Sequence, residues 1–285
     1  MENPKFSLVV CTLGRADEFK RLFDSLQSQT CRDFEVIVVD QNKDDRIDRA
    51  LEPYLDSLTI IHLRSEPGLS RARNVGLKAV RGDIVAFPDD DCWYPKDLLD
   101  KTIRLFDSGV DGLGGRCLDA SGDDCGLKLE MRDGPINRFN VWRRGNSSSM
   151  FFRREVIEKV GEFDESLGLG SGTPWGAGED IDYLIRALQN GFNVMYLSSF
   201  YVHHPKPNPA ITTDKLRRIY SYGAGAGRVL QKHHYPLWFK AKFVFVPLAG
   251  TFVSLAALNH GQARVRWNRC LGQKFGLMAP IDTAV

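Results

Sequence analysis

Four short apolar runs, Phe6 to Cys11, Phe34 to Asp40, Leu58 to Leu63 and Ile84 to Pro88, are separated by segments whose apolar residues recur at helical spacing. Between the first two, Phe19, Leu22, Phe23 and Leu26 fall three and four residues apart, on one helical face. Ahead of the fourth, Leu69 to Val80 repeats the pattern and is expected to close on Arg81-Gly82, where glycine can take the left-handed cap. Strand, helix, strand, helix predicts an α/β fold around a parallel sheet. In open sheets of this kind ligands collect beyond the carboxyl ends of the strands. Chemistry is therefore expected just after Cys11, Asp40 and Pro88.

The 285 residues suit one large domain or two modest ones, and 43% hydrophobic with 26% charged residues excludes a disordered, collagen-like or multi-span membrane chain. Six cysteines without a Cys-X-X-Cys pair point to neither a zinc ribbon nor a disulfide scaffold, and fit a reducing compartment. The N-terminus shows no basic region followed by an apolar stretch, so a cytoplasmic location is expected, with peripheral contact to the inner face of the plasma membrane. The net charge of +2 hides an asymmetry: from Tyr201 onward twelve Lys/Arg face only Asp214 and Asp282, so residues 1–200 carry −8 and the tail +10. A basic tail of this kind suits an anionic leaflet, and a solvated basic face is the plain alternative.

Residues 111–178 are glycine-rich and read as substrate-facing loops, with one helix near Arg154 to Val160. Asp180 to Asn190 is helical again and Asn193 to Leu197 reads as a strand. Beyond Tyr201 come two helical stretches, Thr213 to Lys232 and Leu237 to Leu258, then a basic segment with Arg264, Arg266, Arg269 and Lys274. The expected division is a domain over 1–205, with a nucleotide half to about 95 and an acceptor half after it, followed by a helical extension over 206–285.

The strongest local signal is Phe87-Pro-Asp-Asp-Asp-Cys-Trp-Tyr-Pro95, three consecutive carboxylates directly after an apolar strand. Charges so close repel unless a cation shares them, and Mg²⁺ takes one or two protein carboxylates beside phosphate oxygens and water. The other reading is a polar turn capping a helix that begins at Pro95. Pro67-Gly-Leu-Ser-Arg-Ala-Arg-Asn-Val-Gly76, then Gly82-Asp-Ile-Val-Ala-Phe-Pro with the acidic trio, then Gly178-Glu-Asp-Ile-Asp182 set the context. Together, in this order and spacing, they resemble the nucleotide-sugar-dependent glycosyltransferases of family 2, which have the GT-A fold, over about residues 5 to 205.

That resemblance implies a mixed, mainly parallel GT-A sheet and a site of named residues. Thr12, Arg15 and Asp40 would surround the nucleotide base and ribose, Arg73 the diphosphate, and Asp83, Asp89 and Asp90 the rest of the nucleotide sugar, UDP being the expected nucleotide. Asp91 and Asp89, completed by His203 or His204, would hold Mg²⁺ or Mn²⁺; neighbours on a strand face opposite ways, so at most one histidine serves. Asp180 would be the base of an inverting transfer, with Glu179 and Trp175 positioning a saccharide acceptor. The small polar residues of Arg144 to Met150 would lie below the sugar. Local readings stand beside these: a strand-ending turn for Asp40, a solvated helix face for Arg73, a strand-start turn for Asp83, first-turn dipole stabilisation for Glu179 and Asp180, and a core position for Trp175.

From Phe243 to Ala263 no residue is charged, but the continuous apolar part ends at Leu258, a little short for a span. With Trp238, Lys240 and Lys242 before it and Arg264, Arg266 and Trp267 after, residues 237–285 read as a membrane-interface element, with a buried core helix as the alternative. Gln262-Ala-Arg-Val-Arg-Trp267 has one residue more than the Gln-X-X-Arg-Trp of processive synthases, which disfavours polymerisation. The expected activity is transfer of a single sugar to a lipid-linked saccharide in surface glycan assembly. The rivals are a nucleotidyltransferase, although no Gly-rich signature follows the first strand, and a non-catalytic saccharide-binding or membrane scaffold protein.

Overall fold

The computed structural model describes residues 3–125 and 130–280. Its strands are β1 (Phe6–Thr12), β2 (Phe34–Asp40), β3 (Thr59–Arg64), β4 (Ile84–Ala86), β5 (Gly112–Leu118), β6 (Gly134–Pro135), β7 (Phe151–Arg153) and β8 (Val194–His203). Its helices are α1 (Phe19–Gln27), α2 (Arg46–Leu51), α3 (Leu69–Leu77), α4 (Leu98–Phe106), α5 (Val141–Arg144), α6 (Arg154–Val160), α7 (Glu179–Gln189), α8 (Thr213–Lys232), α9 (Leu237–Ala256) and α10 (His260–Met278).

The strands form one sheet in the order β3-β2-β1-β4-β7-β5-β8-β6. β1 to β4 are mutually parallel, β7 runs antiparallel between β4 and β5, and β8 is parallel to β5. The sheet is thus mixed and mainly parallel, as expected. Strand alternation sorts its side chains. Phe6, Leu8, Val10, Val36 and Val38 meet Phe19, Leu22, Phe23 and Leu26 of α1 and Leu98 and Leu99 of α4 in one core. On the other face Val9 and Val39 lie so close under Gly76 of α3 that a Cβ there would overlap Val9.

Three expectations change. The glycine-rich middle is not all loop, since β5, β6 and β7 lie within it. Gly114 and Gly115 leave β5 with little strand propensity, but they are needed there: a Cβ on either would overlap Met150 Sδ or the Phe200 carbonyl. The last strand, expected to stop at Leu197, runs on to His203, because the pairing of β5 with β8 shifts register between Gly114 and Arg116 and then resumes. The helix after the acidic trio starts at Leu98 rather than Pro95.

The described residues divide into two compact units, one of 3–67, 71–125, 130–163 and 183–207, the other of 68–70, 164–182 and 208–280. The first contains the sheet. The second is built on α8, whose first turn is capped by Thr212 Oγ1 accepting the Lys215 amide at 3.1 Å. Gly223 and Gly227 of α8 face the Arg269 and Gln273 carbonyls of α10, and Gly272 and Gly276 of α10 face α8 in return. Any Cβ would hold these two backbones apart.

Candidate functional site

The site begins with the register of β1 and β4. Their pairing continues past Leu8 opposite Ala86 to a bridge between Cys11 and Asp89, which brings the end of β1 beside the acidic trio. Thr12 Oγ1 donates to Asp90 Oδ2 at 2.8 Å. Arg15, in the turn after β1, donates from Nη1 to Asp90 Oδ1 at 2.8 Å and to Asp91 Oδ2 at 2.6 Å. From the far side of the sheet, the residue after β8 completes the group, with His204 Nε2 3.1 Å from Asp91 Oδ1.

The adjacent histidines separate as strand neighbours should. His203 stacks on Trp93 with ring centroids 5.1 Å apart, and the two residues exchange backbone hydrogen bonds of 3.0 and 2.9 Å. His203 is therefore occupied in holding β8 against the segment that carries Asp91. His204 alone reaches the acids. Its Nδ1 lies 2.7 Å from the Pro205 carbonyl, which can only accept, so Nδ1 carries a hydrogen and Nε2 is the titrating nitrogen.

Electrostatics divides the trio. Burial pushes the Asp90 carboxyl up to about 6, against the opposing pull of Arg15 and Thr12. Asp91 is held below its ordinary value, because burial is outweighed by the hydrogen bond and charge of His204 and by Arg15. His204 rises to about 8, its burial overcome by Asp91. One carboxylate from each of Asp89 and Asp91 and one nitrogen of His204 lie within 4.8 Å of one another, a donor set that fits a divalent cation. Cys11, pushed up to about 12 by burial, offers no thiolate.

Not every expected residue joins this cluster. Asp40, fully buried at the end of β2, accepts the Asn42 amide and Nδ2 at 2.8 and 2.7 Å on one oxygen, while its other oxygen faces Arg64 Nη1 at 2.7 Å. Arg73 is only 2% exposed, so it does not form a solvated helix face. It donates to Ser147 Oγ at 2.9 Å and lies over the rings of Phe163 and Phe87, which ties α3 to the loop below β7. Asp83 is not brought to the trio. It precedes β4 at the opposite end of the strand, pairs with Lys5 at 3.3 Å, and is kept away by the length of strand between it and Asp89.

In the second unit, Glu179 and Asp180 occupy the first turn of α7, Glu179 buried against Gly168 and Asp180 half-buried. Trp175 packs at 5.4 Å from Phe275 of α10 and under the Arg228 guanidinium of α8. Asp182 is the residue that sequence reasoning passed over. It is fully buried and meets His233 Nε2 at 2.7 Å and Lys232 Nζ at 2.8 Å, and Lys232 also reaches Asp164 at 2.7 Å. The Gly178 to Asp182 motif contains it, but nothing in the sequence pairs it with a histidine fifty-one residues later.

The chain is 26% identical over 216 residues to the glycosyltransferase AglE of Haloferax volcanii, a match covering 71% of this chain and 67% of AglE. It spans between 31% and 54% of the length of three further curated glycosyltransferases that it matches. Among solved structures, the mannosyltransferase PcManGT of Pyrobaculum calidifontis in complex with GDP-Man and Mn²⁺ superposes with a TM-score of 0.66 at 18% identity, over 97% of this chain and 88% of that one. S. aureus TarS 1-349 in complex with UDP gives 0.61 at 19% identity, over 95% and 90%. These likenesses carry the fold, which is GT-A. The family model for glycosyl transferase family 2 matches residues 7–161, from the second residue of β1 past the end of α6 and more than half of the sequence, and the chain belongs to that family.

Proposed function

We propose that this protein is a metal-dependent inverting glycosyltransferase that moves a single sugar from a nucleoside diphosphate to a lipid-linked saccharide acceptor at the cytoplasmic face of a membrane. The observation that carries the reading is the meeting of Asp89, Asp91 and His204, from two separate elements, within 4.8 Å at the carboxyl-terminal edge of the sheet. UDP is the favoured nucleotide, in keeping with the UDP complex of TarS, and the GDP-Man complex of PcManGT makes GDP the next to test. Six unpaired cysteines agree with a reducing compartment.

Asp89, Asp91 and His204 would hold a divalent cation, which would supply Lewis-acid neutralisation of the charge on a leaving diphosphate. The nitrogen donor favours Mn²⁺ over Mg²⁺, which takes oxygen ligands in preference. His204 and Arg15 keep Asp91 ionised and Thr12 fixes Asp90, so the acids hold their orientation without the donor. Asp180 removes the proton of the acceptor hydroxyl as that oxygen attacks the sugar C1, opposite the departing phosphate, and the anomeric configuration inverts. Glu179 and Trp175 position the acceptor. Glycosyltransferases of the surface-polysaccharide type are the setting this chemistry suits.

The test is release of nucleoside diphosphate from UDP-, GDP- and dTDP-sugars with Mn²⁺ or Mg²⁺, with and without EDTA, on wild type, Asp91→Asn and Asp180→Asn. Release that EDTA abolishes, and that each substitution lowers by about 10²-fold or more, is expected. Pyrophosphate release instead would make the protein a nucleotidyltransferase, and no release with any donor would make it a binding protein.

A further inference from the structure

The outward face of α9 is more apolar than the face it buries. Phe245, Val246, Phe252 and Val253 recur at seven- and eight-residue spacing along one side of the helix and are each between 61% and 65% exposed. Past Phe239, which is buried on Tyr235 at the helix start, the side opposite these residues is buried through small and polar groups. Thr251 and Ser254 are buried, with hydroxyls returned to the Pro247 and Gly250 carbonyls at 2.9 Å, and the Gly250 carbonyl also takes Arg266 Nη1 at 2.6 Å. A surface helix in water shows the reverse order. Large apolar side chains outside and hydroxyls inside suit a helix whose surroundings are themselves apolar.

The charge around this face selects the kind of surroundings. Between Asp214 and Asp282 there is no acidic residue and there are eleven lysines and arginines. Lys242 near the start of α9, and Arg264 and Lys274 on α10, are exposed and form no ion pair among the described residues. They border the apolar face and its continuation, Leu258 at the turn into α10 and Trp267 and Leu271 on α10. A protein partner would cover the apolar side chains but has no general use for the cations. Anionic headgroups over an acyl layer satisfy both.

We propose that the outer face of α9, with Leu258, Trp267 and Leu271, lies in the headgroup layer of an anionic lipid bilayer. The helix lies along the surface and does not cross it. At about 1.5 Å per residue a helix of this length spans about 30 Å, enough to cross, and only 17% of its apolar stretch is buried. But α10 runs antiparallel beside it, with Arg266 at Gly250 and Cys270 at Val244. A crossing would draw Arg264, Arg266 and Arg269 into hydrocarbon. Lying flat, α9 sinks its phenylalanines while Lys242 and Arg264 extend to the headgroups.

The test uses the full chain and needs neither donor nor acceptor, so it stands or falls apart from the transfer reaction. Purified protein is floated with vesicles of phosphatidylcholine alone and of phosphatidylcholine with phosphatidylglycerol. Wild type is expected to float with the anionic vesicles only. F245E/F252E is expected to lower apparent affinity roughly a hundredfold at an unchanged melting temperature, and K242E/R264E about thirtyfold. Absence of wild-type flotation overturns the proposal, as does equal flotation of wild type and F245E/F252E. A wild-type dimer that F245E/F252E converts to monomer in light scattering would assign the face to a second copy and overturn it too. Resistance of the membrane-bound protein to alkaline carbonate would mark a crossing helix, with the same consequence. Should F245E/F252E not fold, K242E/R264E decides, and flotation equal to wild type overturns the proposal.

Discussion

Asp90 and Asp91 are adjacent in the chain and titrate in opposite directions because only one of them touches an imidazole. Burial dominates at Asp90, whereas His204 and Arg15 together overcome it at Asp91. His204, raised to about 8, is protonated below that pH in the cation-free chain, and a metal ligand must be neutral. Mn²⁺ affinity measured by isothermal titration is therefore expected to fall about tenfold per pH unit as pH drops below the His204 value. The stability of the cation-free chain moves the other way. The His204–Asp91 pair contributes fully below the ordinary histidine value of 6.5 and is lost as pH rises through about 8, so the melting temperature in EDTA falls across that window, and falls less in His204→Gln. Replacing the two histidines separates their roles. His203→Ala is expected to cost about 1 kcal/mol in urea denaturation through the lost Trp93 stack and to leave Mn²⁺ affinity unchanged, whereas His204→Ala is expected to weaken Mn²⁺ by more than tenfold. At this scale the acidic trio is legible because three carboxylates in a row demand an explanation. Strand alternation also says that one histidine serves, but the choice between them rests on Trp93, 110 residues away in the pairing of Trp93 with His203.

Glycine decides which elements could be read in advance. β1, β2 and β4 announce themselves by unbroken apolar runs, and α1 by its three-and-four spacing. β5 is hidden, because the residues that let its neighbours approach are the ones that weaken any strand signal. The same cause governs α8, where the alternation of glycine and alanine from Gly223 to Gly227 has no periodic meaning until its partners are known. Gly223 and Gly227 face α10, while Gly225 faces the Ala177 carbonyl, in the loop that leads to Glu179 and Asp180. A methyl group at Gly225 has nowhere to go without displacing that backbone. Gly225→Ala is expected to cost about 1 to 3 kcal/mol in thermal or urea melts, and to lower kcat while leaving the donor KM as it was, because the loop and not the β1–β4 cluster moves. A parallel loss of donor affinity would show that the loop has no separate role.

Over the whole chain the uneven charge is readable by counting, but the inversion of α9 is not. Its residues are apolar on nearly every side, so sequence alone leaves open whether Phe245 or Thr251 faces the protein, and only packing against α10 answers it. The consequence reaches from binding to rate. If the outer face of α9 brings the protein to a bilayer, an acceptor embedded in that bilayer is met at a raised local concentration, while a short water-soluble acceptor is not. F245E/F252E is then expected to lower kcat/KM on the vesicle-embedded acceptor by the same factor as it lowers flotation, and to leave kcat/KM on the soluble acceptor unchanged. Ionic strength provides the complementary test, since the Debye length shrinks from about 30 Å at 0.01 M to about 8 Å at 0.15 M. Across that range turnover on anionic vesicles should decline with bound fraction in the wild type, and turnover of the soluble acceptor should stay level. A soluble-acceptor rate that fell with salt in step with the vesicle rate would place the sensitivity in the cluster of Arg15 with the acidic trio, and not in the tail.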